Sequence, residues 1–479
     1  MNKAVLLIPP EAIQPKKTRL SGLISASLPL GLGYIASNLR DHGHDCVIID
    51  GFAREMSGQD IVDEVSNLNP SLVGFSACTP TVPVCEWISA KIKEKLPETI
   101  LVWGNAHPTL MPEETLRNAN ADFVVIGEGE ITMLELMNNL NSSKPEIAQI
   151  KGLAYLKNGQ YVCNLPRPFL KDIDSLPDPD WSEFQLDLYR PLPHWALVRW
   201  DHPVFSILTS RGCPFKCTFC SLETSGSAVR RRSLDRVIAE MHRLVKKFNA
   251  EQVFIWDPIF PLKRSHGVEF CRRMIDEGLS KKIKWCSETR VNTVDADLLV
   301  LMQEAGCMRI FYGIESGVQE LLDSVNKRFK LKDVENAVKI TQKAGIEVAA
   351  NFILGFPKET PEMTQQTIDF AKRLNPDFCK FNILLPYPGS ALHSEVLGKG
   401  LMNDKSGYDQ YTSQAGLEGG KVVYSPPDYP AQLLAKMQKK ANREFYLRPR
   451  IIFHHLRKIR NIVQIKNYFM AFIVFMGKT

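Results

Sequence analysis

Cys213, Cys217 and Cys220 lie in the run Arg211-Gly-Cys-Pro-Phe-Lys-Cys-Thr-Phe-Cys220, a Cys-x3-Cys-x2-Cys array. Three thiolates at this spacing can each take one iron of a cubane 4Fe–4S cluster. The fourth iron is then left open for a small molecule. The same spacing also admits a zinc site lacking its fourth ligand, or three thiols that share no metal. The other eight of the eleven cysteines are scattered and form no second three-cysteine group. They read as small core residues, and their lack of regular pairing fits a reducing, cytoplasmic setting.

Such a loop must be held by a rigid frame, and the pattern around it supplies one. Residues 201–400 alternate strand-like runs (Val204–Leu208, Gln252–Trp256, Lys282–Cys286, Met308–Tyr312, Glu347–Phe352, Asp377–Leu385) with amphipathic helical stretches. Six such units predict a partial (β/α)6 barrel, whose functional groups belong at the carboxyl ends of its strands. Residues 1–145 show a second alternation of short apolar strands and helices, which predicts a doubly wound parallel sheet. Its strand ends carry Ser76-Ala-Cys-Thr-Pro80, Gly104-Asn-Ala-His107 and Gly127-Glu-Gly-Glu130. These are small or hydroxyl-bearing residues, suited to close approach of a large flat ligand. Residues 146–200 are rich in Pro and Asp and are expected to form a surface linker.

The array, with Gly212 before it and Phe219 before its last cysteine, resembles the signature of the radical S-adenosylmethionine (SAM) superfamily. The resemblance extends through the middle block. Trp256-Asp-Pro-Ile-Phe260 stands where relatives carry acids near the SAM amino group, with Pro258 where a second acid is frequent. Only Asp257 is therefore left as a candidate. Gly313-Ile-Glu-Ser316 resembles a SAM-contacting segment, which implies Glu315 and Ser316 as cofactor contacts. Asn351-Phe-Ile-Leu-Gly-Phe-Pro357 resembles the adenine motif, with Ile353 packing on the base and Gly355 letting the backbone approach. Glu288 and Arg290 fall at the end of the third strand, and Arg290 is a candidate partner for the SAM carboxylate.

The first block resembles the cobalamin-binding domain that precedes the radical SAM core in the class typified by anaerobic magnesium-protoporphyrin ester cyclase. The features carrying this are Pro29-Leu-Gly-Leu-Gly33, Gly104-x-x-His107 and Gly127-Glu-Gly-Glu130. The resemblance implies a Rossmann-like domain with cobalamin contacts at Ser76, Thr79, Gly104, Gly127 and Glu128. The Asp-x-His-x-x-Gly motif of many cobalamin proteins is absent after the first strand, where the chain reads Pro9-Pro-Glu-Ala-Ile-Gln. Asp41-His-Gly-His44 reads as a helix-ending turn. His107 is a residual axial-ligand candidate, and a loop histidine is the preferred reading.

The implied cofactors are a 4Fe–4S cluster, SAM and cobalamin. The implied partners are a small-molecule substrate and a reductant such as flavodoxin or ferredoxin. Three functions fit: methylation of an unactivated carbon, oxidative cyclisation or hydroxylation, and a cobalamin or cluster sensor without turnover. A sensor needs no adenine or ribose pocket, which argues against the third.

Charge narrows the field further. The net charge is +6, yet residues 431–479 hold eleven Lys and Arg against one acid, so residues 1–430 total −4. The body is not a nucleic-acid surface. Residues 401–479 are expected to be a basic helical region. Phe445–Arg460 and the apolar run Tyr468–Met476 either pack on the barrel or lie in a membrane interface, the latter suiting a lipidic substrate. No run reaches the roughly 20 apolar residues of a spanning helix.

Overall fold

A computed structural model describes residues 3–14, 26–140, 142–191, 196–221, 224, 226–403, 407–418, 420–457, 459 and 465. The first sheet contains β1 (Lys3–Ile8), β2 (Asp45–Asp50), β3 (Leu72–Ser76), β4 (Ile100–Gly104), β5 (Phe123–Val125), β6 (Leu153–Lys157) and β7 (Gln160–Cys163). Their order is β2-β1-β3-β4-β5-β6-β7. β1 to β5 are parallel, so they need crossover helices, and those helices cover both faces.

The strand sequences account for this double cover. In β1, Val5 and Leu7 point to one face, where Ile61, Val65, Ile88 and Ile92 of helices 58–68 and 82–95 pack. Ala4 and Leu6 point to the other, against Ala36, Leu39, Met133 and Met137 of helices 30–41 and 130–140. Ile88 is fully buried, so Ile88→Ala is expected to cost about 2–5 kcal/mol. The order reverses between β1 and β3, which opens a crevice at their carboxyl ends, the usual ligand position in such sheets.

The second sheet contains β8 (Phe205–Ile207), then, after the short ribbon of β9 (Ser210–Arg211) and β10 (Arg230–Arg231), β11 (Gln252–Ile255), β12 (Lys284–Thr289), β13 (Cys307–Glu315), β14 (Glu347–Leu354) and β15 (Phe378–Ile383). All six main strands are parallel, in the order β15-β14-β13-β12-β11-β8, so the barrel stays open between β8 and β15. Helix 234–248 shows how the sequence sets the outer layer. Ser233 caps it by accepting from the Arg236 amide, and Val237, Ile238, Met241 and Leu244 form its buried stripe. Asn249 ends it in the left-handed conformation, φ 50°.

Three features differ from expectation. β12 begins two residues later than expected and continues to Thr289, which places Glu288 on the strand rather than after it. β13 runs on through Glu315.

The segment expected to be a surface linker is built into the fold instead. β6 and β7 form a hairpin that extends the first sheet antiparallel to β5. Farther along, Ile173, Leu176, Trp181 and Tyr189 are buried. The hairpin signal was in the sequence: Asn158-Gly159, both at positive φ, joins two short apolar runs.

The start of the basic tail packs on the barrel. Helix 431–446 buries Leu434, Ala441 and Phe445 completely, and the Tyr446 hydroxyl donates to the Cys379 carbonyl at 2.6 Å. Tyr468–Met476, Lys458 and Arg460 lie outside the described residues. Among the described residues, no helix is long and apolar enough to cross a membrane.

Candidate functional site

The cysteine loop leaves the barrel through the ribbon of β9 and β10. Gly212 sits at φ 93°, and a Cβ there would lie 2.3 Å from the Ala228 carbonyl oxygen, so the close return of the chain requires glycine. Three backbone bonds then fix the loop: Cys213 N–H to Gly226 O, Thr218 N–H to Val325 O, and Leu392 N–H to Thr218 O. Phe219 packs on Phe356 with ring centroids 5.8 Å apart.

Cys213 and Cys217 are half-buried and Cys220 is exposed. Loss of water around the thiol, from the surrounding loop and barrel rim, together with the neighbouring Cys217 and Cys213, pushes Cys220 up to about 11. Three thiols this close repel one another as thiolates unless a cation sits among them. Among the described residues, no three His, Cys, Asp or Glu converge on a single-ion position. A cubane cluster makes no such demand, since each cysteine binds its own iron.

Cationic groups face the loop from the barrel rim. The Arg290 guanidinium lies 3.8 Å over the Phe215 ring and 3.9 Å from Cys217 Sγ, and it donates to the Lys327 carbonyl. Lys327 Nζ lies 2.7 Å from Glu315 Oε1. Gly313 makes room for this pair, because a Cβ there would meet Glu315 Oε1 at 2.6 Å. Ile353 is half-buried against the cluster of Phe356 and Leu384. Gly355 sits at φ 92° and its N–H donates to Glu359.

Two candidates on this rim are taken by the fold. Asp257 is buried and accepts from the Thr209 amide at 2.6 Å, the Thr209 hydroxyl and the Ser210 hydroxyl. That engages both carboxylate oxygens and makes Asp257 a clamp on the strand leading to the cysteine loop, not an available ligand contact. The Ser316 hydroxyl is buried and pairs with the Thr367 hydroxyl and the Val318 amide.

A cavity of about 470 Å³ lies between the two sheets. One wall is the switch-point crevice, with Ser76, Gly104, Asn105 and Gly127. The opposite wall is the barrel mouth, with Ser210, Arg211, Gly212 and Trp256. Apolar Leu6, Val102, Val125 and Met133 line a slot between the first sheet and helix 130–140. Gly74 keeps that slot open, since its Cβ would meet Leu6 Cδ2 at 2.9 Å. A large planar cofactor with a side arm fits a crevice of this composition.

Thr79 and His107 do not line this cavity. His107 is buried, packs edge-on against Tyr408 at 4.6 Å, and its Nδ1 lies 3.3 Å from the Thr79 hydroxyl. Burial lowers its pKa to about 4, so it is a neutral core histidine at pH 7.

Glu128 reaches the cavity wall, but arginines take its carboxylate. Arg211 reaches it at 3.0 Å and Arg230 at 2.7 Å. Burial pushes the Glu128 carboxyl up, yet Arg230, the Leu170 amide and Arg211 together hold it below the usual range. Arg211 also binds Glu130 and stacks 5.1 Å over the Tyr34 ring. The sequence reading missed this network. Its signal was an arginine beside the cysteine array and two acids in a glycine-rich strand end, both without local partners.

Comparison with known proteins agrees with this arrangement. A family profile described as B12 binding domain matches residues 26–137, and one described as Radical SAM superfamily matches residues 207–371. An uncharacterized methyltransferase of Pyrococcus horikoshii is 33% identical over 482 residues, covering 98% of this chain and 99% of that protein. The anaerobic magnesium-protoporphyrin IX monomethyl ester cyclase of Cereibacter sphaeroides is 30% identical over 80% of this chain, which spans 63% of that enzyme. The fold is shared with the radical SAM methyltransferase TsrM of Kitasatospora setae, solved with cobalamin and a 4Fe–4S cluster. The TM-score is 0.71 at 18% identity, over 100% of this chain and 96% of that one.

Proposed function

The chain belongs to the family of radical SAM proteins that carry a B12-binding domain, and we propose that it is a methyltransferase acting on an unactivated carbon of a small molecule. The observation that supports this most directly is the cavity joining the glycine-rich strand ends of the first sheet to the mouth of the barrel beside the cysteine loop. A methyl donor and a hydrogen-abstracting centre must reach one substrate carbon, and a shared cavity between two cofactor domains allows that.

Cys213, Cys217 and Cys220 are proposed to hold a 4Fe–4S cluster. Arg290 and the Lys327–Glu315 pair, with Ile353 and Gly355, are proposed to hold SAM at the rim. Ser76, Gly104 and Gly127 are proposed to cradle cobalamin. When bound, these groups supply one-electron cleavage of SAM and a transferable methyl group. The protein contributes position, charge balance and exclusion of water. Arg290 and Lys327 place positive charge beside a loop that carries negative thiolates, while Gly212 and Gly313 allow the approach. The reaction needs an external reductant and a small-molecule substrate.

Oxidative cyclisation is the second reading, favoured by the identity to the ester cyclase. Product mass separates the two, since methylation adds one CH₂ and cyclisation removes hydrogen. The test of the first reading is transfer of label from methyl-labelled SAM to product by the anaerobic holoprotein, abolished when cobalamin is withheld. A peripheral membrane position through the tail segments Phe445–Arg460 and Tyr468–Met476 is a separate proposal. Co-sedimentation with anionic vesicles at low salt tests it, and a chain ending at Arg457, which keeps the packed helix 431–446, serves as control.

A further inference from the structure

The barrel lumen holds a feature that the cofactors do not account for. Strands β11 to β15 turn one face to the outer helices and the other inward. On the inner face, Cys286, Phe311, Ala349 and Phe378 form a closed apolar floor. Above it, Glu288 on β12 is exposed and Trp256 after β11 is 40% exposed, although β11 and β12 are each paired on both sides, and Lys380 on the edge strand β15 is exposed on the same face. Exposed side chains on the interior strands of a wrapped sheet face an open lumen.

Glu288 makes no side-chain hydrogen bond or ion pair among the described residues. The other carboxylates at this end of the barrel are satisfied: Glu315 by Lys327, Asp257 by Thr209 and Ser210, and Glu359 by the Gly355 and Phe356 amides. The surrounding barrel walls, which strip water from the carboxylate, raise the Glu288 pKa, and the charge of Glu315 raises it further, while Lys380 and Lys327 oppose the shift. Glu288 thus meets the lumen with no protein group on its carboxylate among the described residues, and its charge is left for a ligand.

Trp256 follows β11 directly, and β11 pairs with β12, which places it beside Glu288. Its indole is immobilised: Nε1–H donates to Ser206 Oγ at 3.0 Å, and the ring stacks on Phe254 at 4.2 Å with a 23° tilt. Trp256 also lines the cavity between the sheets. It therefore borders both the lumen and the cavity proposed for cobalamin. A carboxylate next to a fixed indole face is a receptor for an organic cation.

We propose that the substrate is an organic amine whose ammonium group is held between the Glu288 carboxylate and the Trp256 ring in the barrel lumen. This rests on reading the chain as a radical SAM methyltransferase. It makes the substrate a polar cation and not a lipid. Glu288 orients the substrate through its charge, and Trp256 supplies a surface that tolerates alkyl groups beside the nitrogen.

The experiment uses the anaerobic holoprotein with cluster, cobalamin and SAM. Two probes of equal size, n-butylammonium and n-butyrate, are titrated and followed by ligand-observed NMR. SAM affinity is measured in parallel by equilibrium dialysis. Wild type is expected to bind butylammonium saturably and butyrate not at all. Glu288→Gln keeps the shape and is expected to weaken butylammonium about tenfold or more, the loss of one charge-assisted hydrogen bond, with SAM affinity unchanged. Trp256→Leu is expected to weaken it as well and provides a second variant that leaves the carboxylate in place. Preference for butyrate, absence of butylammonium binding, or equal binding by Glu288→Gln overturns the proposal. A matching loss of SAM affinity in Glu288→Gln also overturns it, because Glu288 would then serve the cofactor. Binding is read without turnover, so a protein that binds the amine but transfers no methyl group contradicts the methyltransferase reading alone.

Discussion

Arg211, two residues before the first cysteine of the array, donates a 2.7 Å hydrogen bond to Glu130 in the glycine-rich strand end of the other sheet. Both side chains are sheltered, at 12% and 6% exposure, and Glu128 and Arg230 complete the network. The loop that presents the thiols is thus tied to the loop that lines the cavity. Removing one member leaves the others charged and unpaired, which costs about 3–5 kcal/mol in a buried network. Arg211→Ala is expected to lower the melting temperature and to release cobalamin more readily. Arg264→Ala breaks an exposed pair with Asp295 and is the control, worth no more than about 1 kcal/mol. Equal melting of the two variants would show that the network contributes nothing.

His107→Ala is expected to leave the absorption spectrum of bound cobalamin unchanged. The ring is packed on Tyr408 and lies outside the cavity. A spectrum of imidazole-ligated cobalamin that disappears in the variant would contradict this placement.

Gly74→Leu is expected to abolish cobalamin binding while iron content stays at the wild-type level. Even one added carbon at Gly74 meets Leu6 at 2.9 Å, and a leucine fills the slot beside Val102 and Met133. Cobalamin retained at unit stoichiometry would place the cofactor elsewhere.

Glu359 gives the fold a pH dependence. Burial raises its carboxyl to about 7, against hydrogen bonds from Thr364 and the Phe356 and Gly355 amides. A carboxyl raised above its unfolded value takes up a proton on folding. Its contribution is therefore fully present below about 4.5 and is lost as pH rises through about 7. The denaturant midpoint of wild type relative to Glu359→Gln is expected to fall across that interval. A flat difference would mean that the hydrogen bonds outweigh burial.

Periodicity and strand-end composition make both sheets legible in the sequence, because parallel strands covered on both faces are apolar throughout. The cysteine spacing likewise marked its loop, since three cysteines within eight residues are read from the sequence with no tertiary information. The hairpin of Asn158-Gly159 was overlooked because surrounding Pro and Asp residues suggested a linker. What sequence could not give was pairing. Glu128 and Asp257 looked like ligand contacts by position, and only the fold shows Arg230 and Thr209 against them. Glu288 was placed near the cleft by its strand, but that it has no partner among the described residues depends on where Lys327 and Arg290 spend their charge.

Iron and SAM cleavage measured together test the account most directly. Wild type, reconstituted anaerobically with iron and sulfide and given SAM and a reductant, is expected to hold about four irons from this array and to release 5′-deoxyadenosine. The Cys213→Ala, Cys217→Ala, Cys220→Ala triple variant is expected to lose both. A triple variant that keeps the same iron and still cleaves SAM would contradict the central claim.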